Sequence, residues 1–213
     1  MLEKTIRSVL SQKFQDYQYI IIDGNSTDNT KHVLKKFKDQ IDIILSEPDK
    51  GIYHAMNKAL KLSEGQGNIF LNAGDIFSGQ ILSNNLVIPS LIDVYFKNMI
   101  SKKFKKKNYT FYKMGMPYCH QGIIFENKNI MYDTNYKISS DYDFYLKHEY
   151  KNRLKFSATD GYIQYDNEGI SANQHKIRDK EAAEIIKKNF GIFWKLIFFI
   201  KVKIKDFLRK MFY

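Results

Sequence analysis

The sequence predicts an α/β domain built on a mainly parallel central sheet flanked by helices, with a helical tail at the C-terminal end. Three observations carry this expectation. Short β-rich runs alternate with helix-periodic segments through the first half of the chain, and the runs end in Asp, Asn, Gly or Pro. The 213 residues, 44% hydrophobic and 27% charged, suffice for one sizeable core. The last twenty residues alternate apolar and basic side chains at helical spacing.

In order, residues 2–12 place Leu2, Ile6, Val9 and Leu10 on one side of a predicted helix. Tyr17 to Ile22 (YQYIII) predicts a strand that ends at Asp23, followed by the turn Gly24-Asn25-Ser26-Thr27. A helix through His32, Val33, Leu34 and Phe37 follows, with Thr27 or Asp28 as its cap. Ile41 to Leu45 predicts the next strand, which Pro48 keeps from continuing in a sheet interior. Gly51 to Leu62 predicts a helix with Ile52, Ala55, Met56, Ala59 and Leu60 on one face. Ile69 to Leu71 predicts a third strand, broken by Asn72-Ala73-Gly74-Asp75. In parallel sheets ligands bind outside the carboxyl ends of the strands, where Asp23, the Glu47-Pro48-Asp49-Lys50 turn and Asp75 all fall.

The second half is less regular. Ile92 to Phe96 and Tyr109 to Met114 predict strands around a lysine-rich loop, Gly122 to Phe125 another, and Ser140 to Tyr150 a helix. Tyr162 to Tyr165 predicts a last strand before SANQHKIRDKEA leads into helix. The single cysteine, Cys119, excludes an internal disulfide and a cysteine-based zinc site, and fits a reducing compartment. No signal peptide is visible, and no apolar run approaches the roughly 18 residues of a membrane span. The net charge of +11 gathers at Lys97, Lys102, Lys103, Lys105, Lys106 and Lys107 and again beyond Trp194. No helix-turn-helix, zinc-finger or aromatic RNA-binding pattern accompanies it, so a nucleic-acid partner is not expected.

Five segments in order, SVLSQKFQDYQYIIIDGNSTDNT, SEPDKGIYHAMNKALKLSEG, IFLNAGDIF, MPYCHQGIIF and KISSDYDFYLK, together resemble the family 2 glycosyltransferases of the GT-A fold over roughly residues 5–150. The resemblance implies transfer of a sugar, with inversion, from a nucleoside-diphosphate donor, UDP above all, to an acceptor hydroxyl. On the resemblance, Asp23 meets the nucleobase, Asp49 and Lys50 lie beside the nucleotide, and Asn57 and Asn72 line the donor site. The alternatives stay open at each: a turn cap at Asp23, an exposed turn at Lys50, and a structural amide at Asn57. Asp75 matches the family's metal-binding aspartate, with Mg²⁺ or Mn²⁺ as the cofactor and His120 as a further ligand; an Asx turn and a structural histidine are the competing readings. Asp141 matches the catalytic aspartate, the general base. An acid in a helix first turn also serves the helix dipole, and Ser140 with Asp143 has capping-box spacing.

The resemblance further implies a GT-A domain over residues 1–180, with a nucleotide-binding half at about 1–90 and an acceptor half at 91–180, followed by a basic tail at 181–213. In that tail Leu196, Ile197, Ile200, Ile204, Phe207, Leu208 and Met211 share one helical face opposite Lys195, Lys201, Lys203, Lys205, Arg209 and Lys210. That is the pattern of a helix on an anionic membrane surface, or of one packed on its own domain. The expected acceptor is a saccharide or lipid-linked saccharide, the expected location the cytoplasmic face of a bacterial membrane, and the expected use surface polysaccharide synthesis. The family opens with a strand ahead of the LEKTIRSVLSQ helix. The sequence therefore also allows a start upstream of Met1, or a shortened, inactive homologue that binds a sugar nucleotide or a membrane.

Overall fold

In the computed structural model, which describes residues 1–97, 99–103, 109–150, 154–166 and 174–212, helix α1 (Leu2–Leu10) buries Ile6 and Val9 as its periodicity requires. A polar stripe along this helix and just past its end is also buried. Thr5, Ser8 and Gln12 stand at i, i+3 and i+7 and bind the backbone of residues 74–82. The Gly74 N–H donates to Thr5 Oγ1 (2.9 Å) and the Phe77 N–H to Ser8 Oγ (3.1 Å). Gln12 accepts from the Ile81 and Leu82 N–H groups (2.7 and 3.2 Å) and donates to the Gly79 carbonyl (2.9 Å). Buried backbone groups need partners, and here a helix supplies what a sheet would otherwise give.

Strands β1 (Ile20–Asp23) and β2 (Ile43–Ser46) pair in parallel, with Asp23 opposite Ser46. Helix α2 (Thr30–Lys36) makes the crossover, and Ile6, Leu34, Phe37 and Ile41 pack together beneath it. The N-cap is Asn29 rather than the expected Thr27 or Asp28, although Asp28 accepts the Thr30 N–H (3.0 Å). Helix α3 (Ile52–Leu62) follows Gly51, whose φ of +112° suits glycine alone. Of the expected face, Met56 and Leu60 are buried and Ala55 and Ala59 half-buried, while Tyr53 is buried in place of Ile52. Ile52 is 43% exposed, because the helix turns to place Tyr53 against Tyr132 (ring centroids 5.4 Å apart) and its hydroxyl on the Ile138 carbonyl (2.6 Å).

The expected strand at Ile69–Leu71 has no ladder partner among the described residues. Its side chains still alternate, Ile69 and Leu71 toward the cluster holding Phe77 and Ile163, Phe70 toward the one holding Phe125. Pairing falls to either side of it. Strand β3 (Gly67–Asn68) precedes it, and β4 (Ile76–Gln80) follows. Beyond them come β5 (Ser90–Leu91), β6 (Val94–Phe96), β7 (Met99–Lys103), β8 (Ile123–Glu126), β9 (Lys155–Phe156) and β10 (Asp160–Tyr165). One four-stranded sheet runs β4-β10-β6-β7 and another β3-β8-β5-β9. Parallel pairing thus holds at β1–β2, β6–β10 and β5–β9, and the remaining contacts are antiparallel. The close approach of β4 to β10 needs Gly79, where a Cβ would collide with the Asp160 carbonyl.

Tyr109–Met114 forms a 3-10 turn rather than the expected strand, and the C-terminal helices pack on it. Of the lysine-rich loop, Lys105, Lys106 and Lys107 lie outside the described residues, while Lys102 and Lys103 end β7. Helix α4 (Ser140–Lys147) is shorter than expected and buries Tyr142, Asp143, Phe144 and Tyr145 in succession. Phe144 stacks on Tyr132 at 3.9 Å, the densest point of an aromatic core that also holds Phe125 and Tyr150. Helices α5 (His175–Phe190) and α6 (Ile192–Phe212) meet at Gly191. The boundary expected at 180/181 falls inside α5, whose Ala182, Ala183, Ile185 and Ile186 are buried against Tyr142. Helix α6 packs through Trp194, Phe198 and Val202 and leaves its second apolar face in solvent.

Replacing Gln12, 2% exposed, strands the Ile81 N–H in the interior. Gln12→Ala is therefore expected to cost about 3 kcal/mol in urea unfolding, against a negligible loss for Gln15→Ala, an exposed residue beyond the helix.

Candidate active site

A cleft of about 840 Å³ lies between the start of α3, the Asn72–Asp75 turn, the Met116–Gln121 segment, the start of α4 and the inner faces of α5 and α6. It brings together Asn72, Asp75, His120 and Asp141 of the residues expected at a site. Asp23, Asp49, Lys50 and Asn57 lie outside its lining.

Asp75 is 1% exposed. One carboxylate oxygen accepts the Asn72 N–H and the other the Asp166 N–H, both at 2.9 Å. Within the turn the Asp75 N–H also donates back to the Asn72 carbonyl (3.0 Å), and the carboxylate ties the turn to the end of β10. Burial pushes the carboxyl upward, with Asp166 adding to the rise against those two N–H groups. Each oxygen keeps a lone pair, and Asn72, which carries an amide oxygen, lines the same cleft. Among the described residues no group of three His, Cys, Asp or Glu side chains gathers to hold a metal ion. This oxygen-only set does not fit a cation caged by protein alone. It does fit Mg²⁺ or Mn²⁺ that takes its other ligands from a diphosphate and water.

His120 does not join that set. Its ring lies between Phe70 and Phe125, and its Nε2 meets the Tyr132 hydroxyl at 2.7 Å. Burial holds the ring neutral, with its pKa lowered to about 3. The partner seen for this histidine is a core tyrosine, and its ring also lines the cleft. Beside it the Cys119 thiol is buried, and burial pushes its pKa up to about 12.

Asp141 stands in the first turn of α4 with one side open to the cleft. Its Oδ1 accepts the Tyr142 N–H (2.8 Å). Burial pushes the carboxyl up to about 6, with the Glu181 carboxylate adding to the rise against the Tyr142 N–H and the neighbouring Tyr53 hydroxyl. A carboxyl raised by desolvation at a cleft wall is suited to accept a proton near neutral pH. Asp143 faces away and pairs with Lys147 (2.7 Å), so the expected capping box does not form.

The Asp49 carboxylate lies against Gly24, where a Cβ would collide with it. Asp23 accepts the Ser26 N–H and hydroxyl on one oxygen and the Ser46 hydroxyl on the other (2.6 Å). Burial works against this carboxylate, but the Ser26 and Ser46 hydrogen bonds outweigh it and leave the pKa lowered. The turn-capping reading of Asp23 is therefore realised. Asp49 Oδ1 accepts the Gly51 N–H (2.8 Å), and the Lys50 side chain is exposed. Asn57 is structural: its amide donates to the Tyr132 carbonyl (2.9 Å) and accepts the Tyr132 N–H (2.8 Å).

Several cleft residues carried no signal in the sequence. Tyr53, Asp166, Arg178 and Lys201 line it from four different elements, and only the tertiary fold unites them. Asp166 pairs with Lys97 (2.8 Å), and Lys201 donates to the Met114 carbonyl (2.8 Å).

Residues 1–85 match the family model described as "Glycosyl transferase family 2". WfaP of Escherichia coli, a UDP-Glc:alpha-D-GlcNAc-diphosphoundecaprenol beta-1,3-glucosyltransferase, is 34% identical over 43% of this chain and 37% of its own length. TuaG of Bacillus subtilis, a putative teichuronic acid biosynthesis glycosyltransferase, is 32% identical over 40% and 35%. A mycobacterial PGL/p-HBAD biosynthesis glycosyltransferase from Mycobacterium tuberculosis is 25% identical over 69% and 64%. The chain therefore spans from about a third to just under two thirds of the length of these relatives. Among solved structures, S. aureus TarS 1–349 with UDP superposes with a TM-score of 0.64 at 17% identity, covering 90% of this chain and 68% of that one. TarS with UDP-GlcNAc gives 0.64 at 16%, over 87% and 62%.

Asn57→Ala removes two hydrogen bonds from the Tyr132 backbone and is expected to lower stability by about 2 kcal/mol in thermal unfolding. Nucleotide affinity, measured by calorimetry on the folded variant, is expected to stay within a factor of about two, as suits a residue outside the cleft.

Proposed function

We propose that this chain, which belongs to the family 2 glycosyltransferases and has their GT-A fold, transfers a sugar from a UDP-sugar to an acceptor hydroxyl with inversion. The observation that carries the proposal is Asp141, a carboxyl with a pKa of about 6 at the wall of the cleft that also holds the Asn72–Asp75 turn. In the proposed step the acceptor oxygen attacks the anomeric carbon as Asp141 takes its proton. The bond to the diphosphate oxygen breaks, and the nucleotide leaves with the electron pair. One displacement inverts the centre. Asp75 and Asn72 would hold a Mg²⁺ or Mn²⁺ ion, which supplies neutralising charge to the departing diphosphate. Asp23, Asp49 and the backbone of Gly24 are the proposed nucleoside end, and Lys50 lies beside it.

The acceptor proposed is a saccharide carried on a lipid diphosphate, used for a bacterial surface polysaccharide. The diphosphoundecaprenol-linked acceptor of WfaP and the teichuronic acid biosynthesis ascribed to TuaG support this reading. So does α6. Phe193, Leu196, Ile200, Ile204, Phe207 and Met211 form an exposed apolar row along it, while Lys203 and Lys205 are exposed on the same helix. Among the described residues no helix is long and apolar enough to cross a membrane. The helix is proposed to lie in the headgroup layer of the cytoplasmic leaflet, with its lysines on anionic lipid.

Asp141→Asn is expected to lower kcat by about 10²–10⁴-fold with UDP binding retained, measured by calorimetry and by UDP release from a screen of UDP-sugars. Because the base must be ionised, kcat/KM should rise with pH up to about 6 and level above it. No UDP binding by the folded wild-type chain, with or without Mn²⁺, would sink the enzyme reading.

The double change Ile204→Asp, Phe207→Asp falls on side chains 55% and 65% exposed, so folding should be untouched. Co-sedimentation with anionic vesicles should fall at least about tenfold, and equal sedimentation would remove the membrane assignment.

A further inference from the structure

The helix that carries Asp141 is capped from outside. Its N-cap residue, Ser139, makes no side-chain cap of its own; the hydroxyl donates instead to the Arg178 carbonyl of α5 (3.0 Å). The N–H groups just ahead of the helix are taken by one side chain of that same α5. Glu181 accepts the Lys137 N–H on Oε1 (2.8 Å), and the Ile138 and Ser139 N–H groups on Oε2 (2.9 Å each). Tyr53 holds the intervening carbonyl of Ile138 from the opposite side (2.6 Å). The platform beneath Glu181 is rigid, since Ala182, Ala183, Ile185 and Ile186 are buried against Tyr142 of α4. A carboxylate with three charge-assisted bonds to consecutive backbone groups fixes those groups far more tightly than a surface pairing would.

We infer that Glu181 is a positioning residue for Asp141: it locks the turn from which Asp141 enters the cleft, and holds that carboxyl at the acceptor's place. This rests on the reading of Asp141 as the base. The negative charge of Glu181 also acts on Asp141 directly and favours its protonated form. The groups that share this field are Tyr53 from α3, Tyr132 and Cys119 from the core side, and Lys137, Arg178 and Asp179 on the cleft wall. Of these, Glu181 alone binds the backbone of residues 137–139 through a carboxylate.

Two variants separate its reach from its charge. Glu181→Gln keeps the length and removes the charge; Glu181→Asp keeps the charge and falls one methylene short. Each is followed by carbon NMR titration of the Asp141 carboxyl, by amide exchange at Ile138 and Ser139, and by the pH profile of kcat/KM on the whole chain. In Glu181→Gln the Asp141 midpoint is expected to move down, carrying the acid limb of the profile with it. In Glu181→Asp the midpoint is expected to stay, while both amides exchange faster. Both variants should lose about tenfold or more in kcat with donor KM within a factor of about two. Wild-type kcat and wild-type amide protection in both variants would overturn the inference, as would a lowered Tm with kcat and midpoint unchanged. If Glu181→Gln does not fold, Glu181→Asp decides by the same readings. If the wild-type chain transfers no sugar, the reading of Asp141 as the base fails. The NMR midpoint and amide exchange then still decide whether Glu181 fixes that turn.

Discussion

The polar stripe of α1 is the constraint on which the rest of this structure hangs. Thr5, Ser8 and Gln12 bind the backbone of a buried segment that bends between Asn72 and Ile76 and so cannot lie in a continuous ladder there. Unmet, those N–H groups would each cost on the order of 1–3 kcal/mol. Met, they let a turn be built in the interior and let Asp75 sit almost wholly out of water. Asp75 then passes the constraint on, since its second oxygen holds Asp166 at the end of β10, and Asp166 holds Lys97. One run of hydrogen bonds thus leads from the first helix to the far wall of the cleft.

The two carboxyls that line the cleft are set by different means. Asp75 is raised by burial while its oxygens stay tied to backbone donors, which keeps its geometry fixed. Asp141 is raised by burial and by a second acid, and retains an open side. The first suits a group that neutralises charge in one place, the second a group that takes up and releases a proton. Asp23 shows the contrary case: hydroxyl and backbone donors overcome burial and hold it as a carboxylate.

Much of the first half was legible because its signals are local. The periodicity of α1, the β-rich run ending at Asp23 and the break at Pro48 depend on neighbours in the chain, and all three match the structure. Where tertiary partners decide, the sequence pattern misled. Ile69–Leu71 keeps strand alternation without a ladder partner among the described residues, and Tyr109–Met114 has β-rich composition yet winds into a 3-10 turn beneath α5 and α6. At the site, the motif segments led to Asp75 and Asp141, which the cleft unites. Asn57 and His120 carry the right chemistry but spend it on Tyr132, a partner no spacing rule could supply. Glu181 was hidden for a related reason. In the sequence it is one of several acids in a basic helix, and only packing brings it back across some forty positions to the start of α4.

The burial of Cys119 has a practical side. It is the chain's one sulfhydryl, it is shielded in the core, and its thiol stays protonated through the neutral range. Maleimide reagents would therefore find almost no thiolate on the native protein. A cysteine introduced anywhere on the surface would become its single reactive handle with no need to delete the natural one. Fluorophore pairs or spin labels could then report on the cleft and the C-terminal helix in a background that is chemically silent.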